Sequence, residues 1–175
     1  SWLWRKYMGK AVGDYCGFFL VDRDGKRFTN EDFKYHTLYY ELALFDSQRL
    51  VYPRVPCFCI FDQKRIDSGP LGLPFAGPSG PVRLYQWSKD NRKEIELGWI
   101  IQDGSMRELA RKIGVNPDNL ERTMIDYERY CAQGHDPEFG RPSGDLVPLK
   151  DPPYYSVRLF PGGPNTQGGP KRNHR

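Results

Sequence analysis

Polar and apolar positions change their spacing along this chain, and the changes predict its elements. In "CGFFLVDRDGKRF" an apolar run precedes the Asp24–Gly25 step, which is a strong signal for a turn between two strands. We expect the first strand to hold the apolar run and a short return strand to pass through Arg27 and Phe28. The runs "VPCFCIFD", "GWIIQDG" and "YYSVRLF" predict further strands.

A helical spacing follows the first hairpin. Thr29, Asn30 and Asp32 offer oxygens that can cap a helix through "FKYHTLYYELALFDSQ". Apolar residues recur there at intervals of three and four, which predicts one buried stripe: Tyr35, Leu38, Tyr39, Leu42 and Phe45.

Two more helices are marked by their ends. Ser105 and Glu108 form a capping box before "MRELARKI". Asn116 and Pro117 begin a longer helix, "PDNLERTMIDYERYCAQ". Only residues 114–116 separate the two, so we expect a helical hairpin. Strands and helices in separate blocks favour an α+β fold, with a small antiparallel sheet and packed helices.

Composition limits the function classes. The 175 residues suit a single domain, and aromatic residues, at 14%, supply much of its core. Lys and Arg number 26 against 22 Asp and Glu, without a basic patch, so we expect no nucleic-acid surface. The sequence contains no run of 18 apolar residues, so we expect no membrane-spanning segment in it. The cellular compartment stays open.

The cysteines and histidines do not have the spacing of a metal site, and we expect no bound metal. Cys57 and Cys59 alternate along a predicted strand, so they should face the same side. We expect buried free thiols rather than a disulfide or redox pair.

A Gly/Pro-rich segment interrupts the chain at residues 69–81, where eight of thirteen residues are Gly or Pro. Regular structure is excluded at such a density. The segment is either a disordered linker or an ordered flap. Leu71, Leu73 and Phe75 can anchor it, which favours the flap.

A second glycine-rich segment, "FPGGPNTQGGP", follows the last predicted strand. Glycines there allow a backbone to approach a flat or charged ligand closely, because no Cβ intervenes. A flexible tail is the alternative, and the local residues do not decide between them.

Five segments, in order, resemble landmarks of one protein family: "LVDRDGKRFTNED", "DGSMRELARKIGV", "GHDPEFGR", "DPPYYSVRLFPG" and "NTQGGP". They resemble the capping, or substrate, domain of flavoproteins in the fumarate reductase and 3-ketosteroid dehydrogenase superfamily. The resemblance covers about Cys16 to Pro170. It implies that residues 1–175 are one capping domain, a fragment of a larger flavoprotein whose FAD-binding domain is absent here.

The resemblance also implies a reaction and its partners. FAD would be held mainly by the absent domain of the same parent chain, and the sequence itself has no Gly-x-Gly-x-x-Gly pyrophosphate loop. The parent enzyme would transfer a hydride between flavin and a C–C bond next to a carbonyl or carboxylate of a small-molecule substrate. The capping domain alone should be inactive.

Candidate site residues follow from the aligned motifs. Tyr35 stands where ketosteroid dehydrogenases carry a tyrosine and fumarate reductases an arginine, which makes its phenol the candidate catalytic acid or base. His36 is the alternative proton donor, and a core role for Tyr35 remains open. Asn165 and Thr166 are the candidate substrate-binding residues. Gly168 and Gly169 are the candidate contacts to the cofactor.

Two points stay open at this level. Arg27 and Glu31 match the family motif, but a surface or domain-packing ion pair explains them as well as ligand contact does. A function from another class is a stand-alone binding module that uses the basic terminus and exposed aromatic residues to hold nucleic acid or an anionic ligand.

Overall fold

A computed structural model describes residues 17–32, 35–71, 85 and 87–161, with only the backbone of residues 35–37. The strands are β1 (Phe18–Val21), β2 (Cys57–Asp62), β3 (Ile100–Asp103) and β4 (Tyr154–Leu159). The helices are α1 (Tyr35–Leu42), α2 (Gln63–Asp67), α3 (Arg92–Glu96), α4 (Met106–Ile113) and α5 (Pro117–Gln133), with a 3₁₀ turn at Ser143–Asp145.

The four strands form one antiparallel sheet in the order β1-β2-β4-β3. Every residue of β2 is buried, and this strand pairs Phe61 with Phe18 of β1 and Cys57 with Leu159 of β4. The predicted α+β fold and the four main strands are confirmed. The predicted return strand is wrong, because residues 26–28 contribute only the bridge Val21–Arg27, and β1 pairs with β2 instead.

Alternation along the strands places a hydrophobic cluster on each face of the sheet. The first face is covered by α4 and α5, with these members among others: Phe19, Val21, Phe58, Ile60, Leu109, Leu120, Met124 and Tyr127. The second face is covered in part by α1, with these: Phe18, Leu20, Phe28, Leu42, Cys57, Cys59, Phe61, Ile100 and Tyr155. The sheet is therefore buried on both sides.

Cys57 and Cys59 face the same side, as predicted, and both are buried free thiols. Burial raises the pKa of Cys57 to about 12 and that of Cys59 well above its ordinary value. Both sulfurs therefore stay protonated near neutral pH and pack as small apolar groups.

The predicted helical hairpin is confirmed with its caps. The Ser105 hydroxyl accepts a hydrogen bond from the Glu108 N–H at 3.2 Å. The Asn116 side chain accepts from the N–H groups of Asp118 and Asn119. Gly114 ends α4 with φ of 78°, a left-handed conformation that suits glycine.

Helix α1 is shorter than predicted and does not bury the whole predicted stripe. It ends at Leu42, which is buried, and Leu38 is half-buried. Tyr39 and Phe45 are exposed, so the prediction is wrong for these two residues. Phe45 lies beyond the end of the helix, where the chain turns back through a bridge between Asp46 and Val51, whereas Tyr39 lies within α1 on a side that the core does not cover.

Of the Gly/Pro-rich segment, Gly69, Pro70 and Leu71 belong to the described residues, and Leu71 packs against the second cluster. Leu73 and Phe75 lie outside them. Among the described residues, no helix combines the length and apolar character needed to cross a bilayer.

Candidate functional site

The predicted site residues fall at the limits of the described chain. Tyr35 and His36 begin α1, four and five residues after Glu31, and their side chains are outside the description. The predicted ligand-binding residues all lie outside the described residues: Asn165, Thr166, Gly168 and Gly169. Their roles stay predictions, and the described neighbourhood of α1 supplies the geometry.

Just before α1, Arg27 forms a buried ion pair. Its Nε and Nη2 donate to the two carboxylate oxygens of Glu31 at 3.0 and 2.9 Å, a bidentate contact. Nη2 also donates to Asp136 at 2.9 Å, and Nη1 to the other oxygen of Asp136 at 3.3 Å. The Arg27 and Glu31 side chains are 1% and 0% exposed, so their pairing is internal to this domain.

Glu31 connects the motif to β1. It accepts a hydrogen bond from the Leu20 backbone N–H at 3.1 Å. It also accepts from Arg141 Nη1 at 3.3 Å, and the same nitrogen donates to the Phe18 carbonyl at 2.7 Å. Arg27, Glu31, Asp136 and Arg141 are named the buried ion network below.

Asp136 shapes the loop that supplies Arg141. Its carboxylate accepts from the backbone N–H groups of Glu138, Phe139 and Arg141. The Asn30 amide donates to the carbonyls of Phe139 and Gly140, both at 3.1 Å. The Asn30 side chain therefore anchors this loop, and its Oδ1 accepts from the Asp32 N–H at 2.9 Å. Residues 33 and 34, between Asp32 and α1, lie outside the described residues, so its role as a cap stays a prediction.

Aromatic rings enclose both guanidinium groups. The Arg27 Cζ atom lies 5.4 Å from the ring centroid of Tyr127 and 5.0 Å from that of Phe139. The Arg141 Cζ atom lies 4.7 Å from the Phe18 ring. Such cation–π contacts stabilise a guanidinium that has lost its water.

The network is made of fixed charges. Burial alone would lower the pKa of Arg27, but Glu31 and Asp136 outweigh it and raise the pKa above its ordinary value. Burial alone would raise the pKa of Asp136, but hydrogen bonds and charge from Arg27 lower it. Two guanidinium groups face two buried carboxylates, and a third carboxylate, that of the partly exposed Glu138, lies 3.6 Å from Arg27 Nη1.

These properties suit positioning rather than proton transfer. The pKa shifts of Arg27 and Asp136 both keep the charged form near neutral pH. The network instead fixes residues 27–31 against β1 and the 136–141 loop. Tyr35 follows Glu31 by four residues, so the network lies close to the start of α1 along the chain.

Sequence reasoning missed two groups of residues. Asp136 and Arg141 belong to the segment "GHDPEFGR", to which the sequence assigned no role. Because Asp136 lies 109 positions from Arg27, the sequence did not indicate the hydrogen bonds between them. Asn91 and Glu94, both fully buried, were not singled out at all. Asn91 accepts from the Leu71 N–H and the Trp87 Nε1–H, while Glu94 accepts from the Tyr85 hydroxyl and the Ser88 N–H. Asn91 thus connects Leu71 with Trp87, which lie on either side of residues 72–84, whereas both partners of Glu94 follow residue 84.

The described residues do not fit a whole FAD molecule. Its pyrophosphate is usually held by free N–H groups of a glycine-rich loop at a helix N-terminus. In α4 and α5 the caps Ser105 and Asn116 already occupy N–H groups of the first turn. The described part of the chain therefore supports no reaction step through the cofactor.

Comparison with known proteins gives a family. Residues 14–174 match the model of the family described as FAD binding domain. The chain is 28% identical over 169 residues to 4-oxocyclohexanecarboxylate 2-dehydrogenase of Sinomonas cyclohexanicum, covering 87% of this chain and 27% of that protein. It is 26% identical over 171 residues to 3-oxosteroid 1-dehydrogenase of Mycobacterium tuberculosis, covering 87% and 28%.

A solved structure shares the fold. It is 3-ketosteroid delta1-dehydrogenase from Sterolibacterium denitrificans in complex with 1,4-androstadiene-3,17-dione, with a TM-score of 0.63 and 24% identity over 88% of this chain and 28% of that one. The chain thus spans between a quarter and a third of the length of each of these proteins.

Proposed function

Because this chain belongs to the family of FAD-binding domains, which confirms FAD as the cofactor predicted from the resemblance, we propose that it is the substrate-capping domain of a larger FAD-dependent oxidoreductase. The proposed reaction moves a hydride between flavin and one carbon of a C–C bond adjacent to a carbonyl or carboxylate. The partner is the FAD-binding domain of the same polypeptide.

The observation that carries this proposal is the match, over 87% of the chain, to two dehydrogenases whose names specify oxo compounds. Since the chain spans only 27–28% of their length, it corresponds to one part of such an enzyme. The family match favours this function over a stand-alone module that binds nucleic acid.

The proposed role of this chain is to orient substrate and to move one proton. The Tyr35 phenol, at the start of α1, exchanges a proton with the substrate carbon that does not react with flavin. An ordinary phenol has a pKa of about 10, so it suits the acid role in reduction, and neighbours must lower its pKa for the base role. His36 is the alternative carrier.

The buried ion network supports this role through position. A catalytic group must be held within hydrogen-bond reach of its target. Contacts of 2.9 to 3.3 Å join Arg27 to Glu31 and Asp136, and Glu31 lies four residues before Tyr35 along the chain. In this proposal, Asn165 and Thr166 bind the substrate carbonyl, and Gly168 and Gly169 lie against the flavin edge.

The test is Tyr35→Phe in the full-length flavoprotein, with 4-oxocyclohexanecarboxylate and a 3-oxosteroid as substrates. Loss of the phenolic proton should lower the rate of flavin reduction in a single turnover by ~10²- to ~10⁴-fold, while flavin binding and thermal stability persist. Tyr130→Phe, which removes a hydroxyl from α5, is the matched control.

Retained chemistry in Tyr35→Phe together with a comparable loss in His36→Ala would transfer the role to His36. If both variants keep the rate, the proton carrier is not on this helix. A full-length protein that holds no flavin would contradict the proposed function itself.

A further inference from the structure

Large apolar side chains are exposed mainly along one short stretch. Of the ten such residues in the described part of the chain, six lie between residues 39 and 52. They are Tyr39, Tyr40, Leu44, Phe45, Leu50 and Tyr52, and they are named the 39–52 face. Scattered exposed apolar residues are normal on proteins, but a concentration of this kind marks an interaction surface.

Ring contacts and a hydrogen-bonded turn order the 39–52 face. Tyr39 and Tyr40 meet edge to face at 6.1 Å between ring centroids, and Phe45 and Tyr52 lie 5.0 Å apart. Hydrogen bonds in both directions between the backbones of Asp46 and Val51 close the turn between them. The Asp46 carboxylate holds the same turn by accepting from two backbone N–H groups.

Leu50 gives an independent sign of function. Its φ is 54°, in the left-handed region, and it is 74% exposed. A bulky residue in that region is strained, and asparagine or glycine would avoid much of this strain. The turn therefore adopts a strained conformation at Leu50 although the Leu50 side chain is exposed to water.

The charges around the face are already paired within the chain. Arg54 forms an ion pair and a backbone hydrogen bond with Glu41, and Arg49 contacts Asp24 at 3.1 Å. Covering the face would thus remove few unpaired charges from water, which keeps the cost of desolvation low.

We infer that the 39–52 face docks the flavin-carrying remainder of the same polypeptide, with Leu50 as its anchor. This inference rests on the proposed function. The relatives have more than two thirds of their length outside the matched region, so a large partner exists in proteins of this kind. The face begins on α1, the helix that opens with Tyr35, so docking there brings the flavin-carrying part to this helix.

The extent of the face distinguishes a protein partner from a small molecule. The six side chains each leave about half of roughly 200 Å² in water, and together they expose about 600 Å². That area approaches the ~800 Å² that each partner buries in a standard interface, and it exceeds what a single small substrate covers.

The experiment is hydroxyl-radical footprinting, read by mass spectrometry, of this chain alone and of the full-length flavoprotein. Oxidation of Tyr40 and Leu50 should be slower by about tenfold or more in the full-length protein, because a docked partner excludes water from them. Ile125, 62% exposed on α5, is the internal control and should be oxidised equally in both.

Equal oxidation of the face in both proteins would overturn the inference. If that full-length protein still binds flavin and reduces it with substrate, the proposed function stands without this docking face. Protection in the chain alone that rises with concentration, together with a dimer in sedimentation, would assign the face to a second copy and also overturn the inference.

Leu50→Asn separates loss of docking from loss of stability. Asparagine tolerates the left-handed conformation, so the melting temperature of the isolated chain should stay unchanged or rise. In the full-length protein the same substitution removes the anchor and should restore oxidation of Tyr40 by severalfold, whereas Ile125→Asn should not. Unchanged protection of Tyr40 in Leu50→Asn would remove Leu50 from the interface and overturn its assignment.

Discussion

Asp136 and Arg27 place opposite charges in the interior of the domain, where an unpaired charge is costly. Their side chains are 0% and 1% exposed, and Asp136 also holds the backbone of its own loop. A buried pair of this kind adds little net stability over an apolar pair, but removal of one partner leaves the other uncompensated. Substitution of Asp136 alone should therefore destabilise the fold, although the intact pair adds little net stability.

Asp136→Asn should lower the free energy of unfolding by about 3–5 kcal/mol, because Arg27 then loses one of its two buried carboxylate partners. Urea denaturation of the isolated chain measures the change. Asp126→Asn is the control, since it removes one member of an exposed pair with Arg129 at 2.7 Å and should cost no more than about 1 kcal/mol. Similar losses in both variants would contradict a special role of the network.

The same variant has a predicted pH dependence. The pKa of Asp136 is lower in the folded chain than its ordinary value, so the unfolded chain takes up its proton first on acidification. The stability due to the carboxylate is fully present above about pH 5 and is lost as the pH falls through about 4 and below. The difference between the wild type and Asp136→Asn should shrink over that range, and a constant difference would contradict the shift.

At the scale of elements, the turn after β1 packs directly on the beginning of α5. Asn119 donates to the Asp24 carbonyl and Thr123 to the Gly25 carbonyl, both at 2.9 Å. Gly25 has φ of 81°, and a Cβ there would lie 3.1 Å from the Asn116 carbonyl oxygen and 3.2 Å from the Leu120 nitrogen. The turn needs glycine both for its conformation and for its contact.

Gly25→Ala should therefore destabilise the chain more than Gly98→Ala does. Gly98 also has a left-handed φ, of 70°, but a Cβ there would meet nothing within 4 Å. The control should cost about 1 kcal/mol for conformation alone, and Gly25→Ala about 1–3 kcal/mol more, because backbone atoms of α5 must move. Thermal melting of both variants measures the difference, and equal losses would show that the contact is not close.

For the whole molecule, two hydrophobic clusters lie on opposite faces of one sheet, and we expect the chain to fold without a cofactor. The described residues offer no complete site for FAD, and the sequence has no Gly-x-Gly-x-x-Gly loop. We therefore expect the purified chain to be colourless and inactive, without the flavin absorbance near ~450 nm. Stoichiometric flavin in the purified chain would contradict this, and the full-length flavoprotein serves as the positive control.

Much of the fold was readable from local patterns. The Ser105 and Asn116 caps, the glycine ends of α4 and α5, and the alternation in β2 depend on neighbours within a few residues. Such signals act wherever the chain lies, because capping and alternation are satisfied locally. The family resemblance came from motif order. The comparisons confirm the family of FAD-dependent oxidoreductases, and the capping role stays a proposal.

The candidate site was readable only in part. The motif letters of Arg27 and Glu31 were visible, but their burial was not, because the contact to Asp136 spans 109 positions. The alternative of a surface ion pair was equally consistent with the sequence. The roles of Tyr35, His36, Asn165 and Thr166 stay predictions.

By itself the sequence determined the caps, the strand alternation and the turn glycines, since each depends on interactions between residues close along the chain. Tertiary structure decided which strand pairs with β1, which charges are buried and which apolar residues remain outside. Tyr39 and Phe45 have the spacing of core residues, yet the sheet offers no surface to cover them. The physical reason is that burial depends on what lies opposite a side chain, and that partner comes from distant parts of the chain.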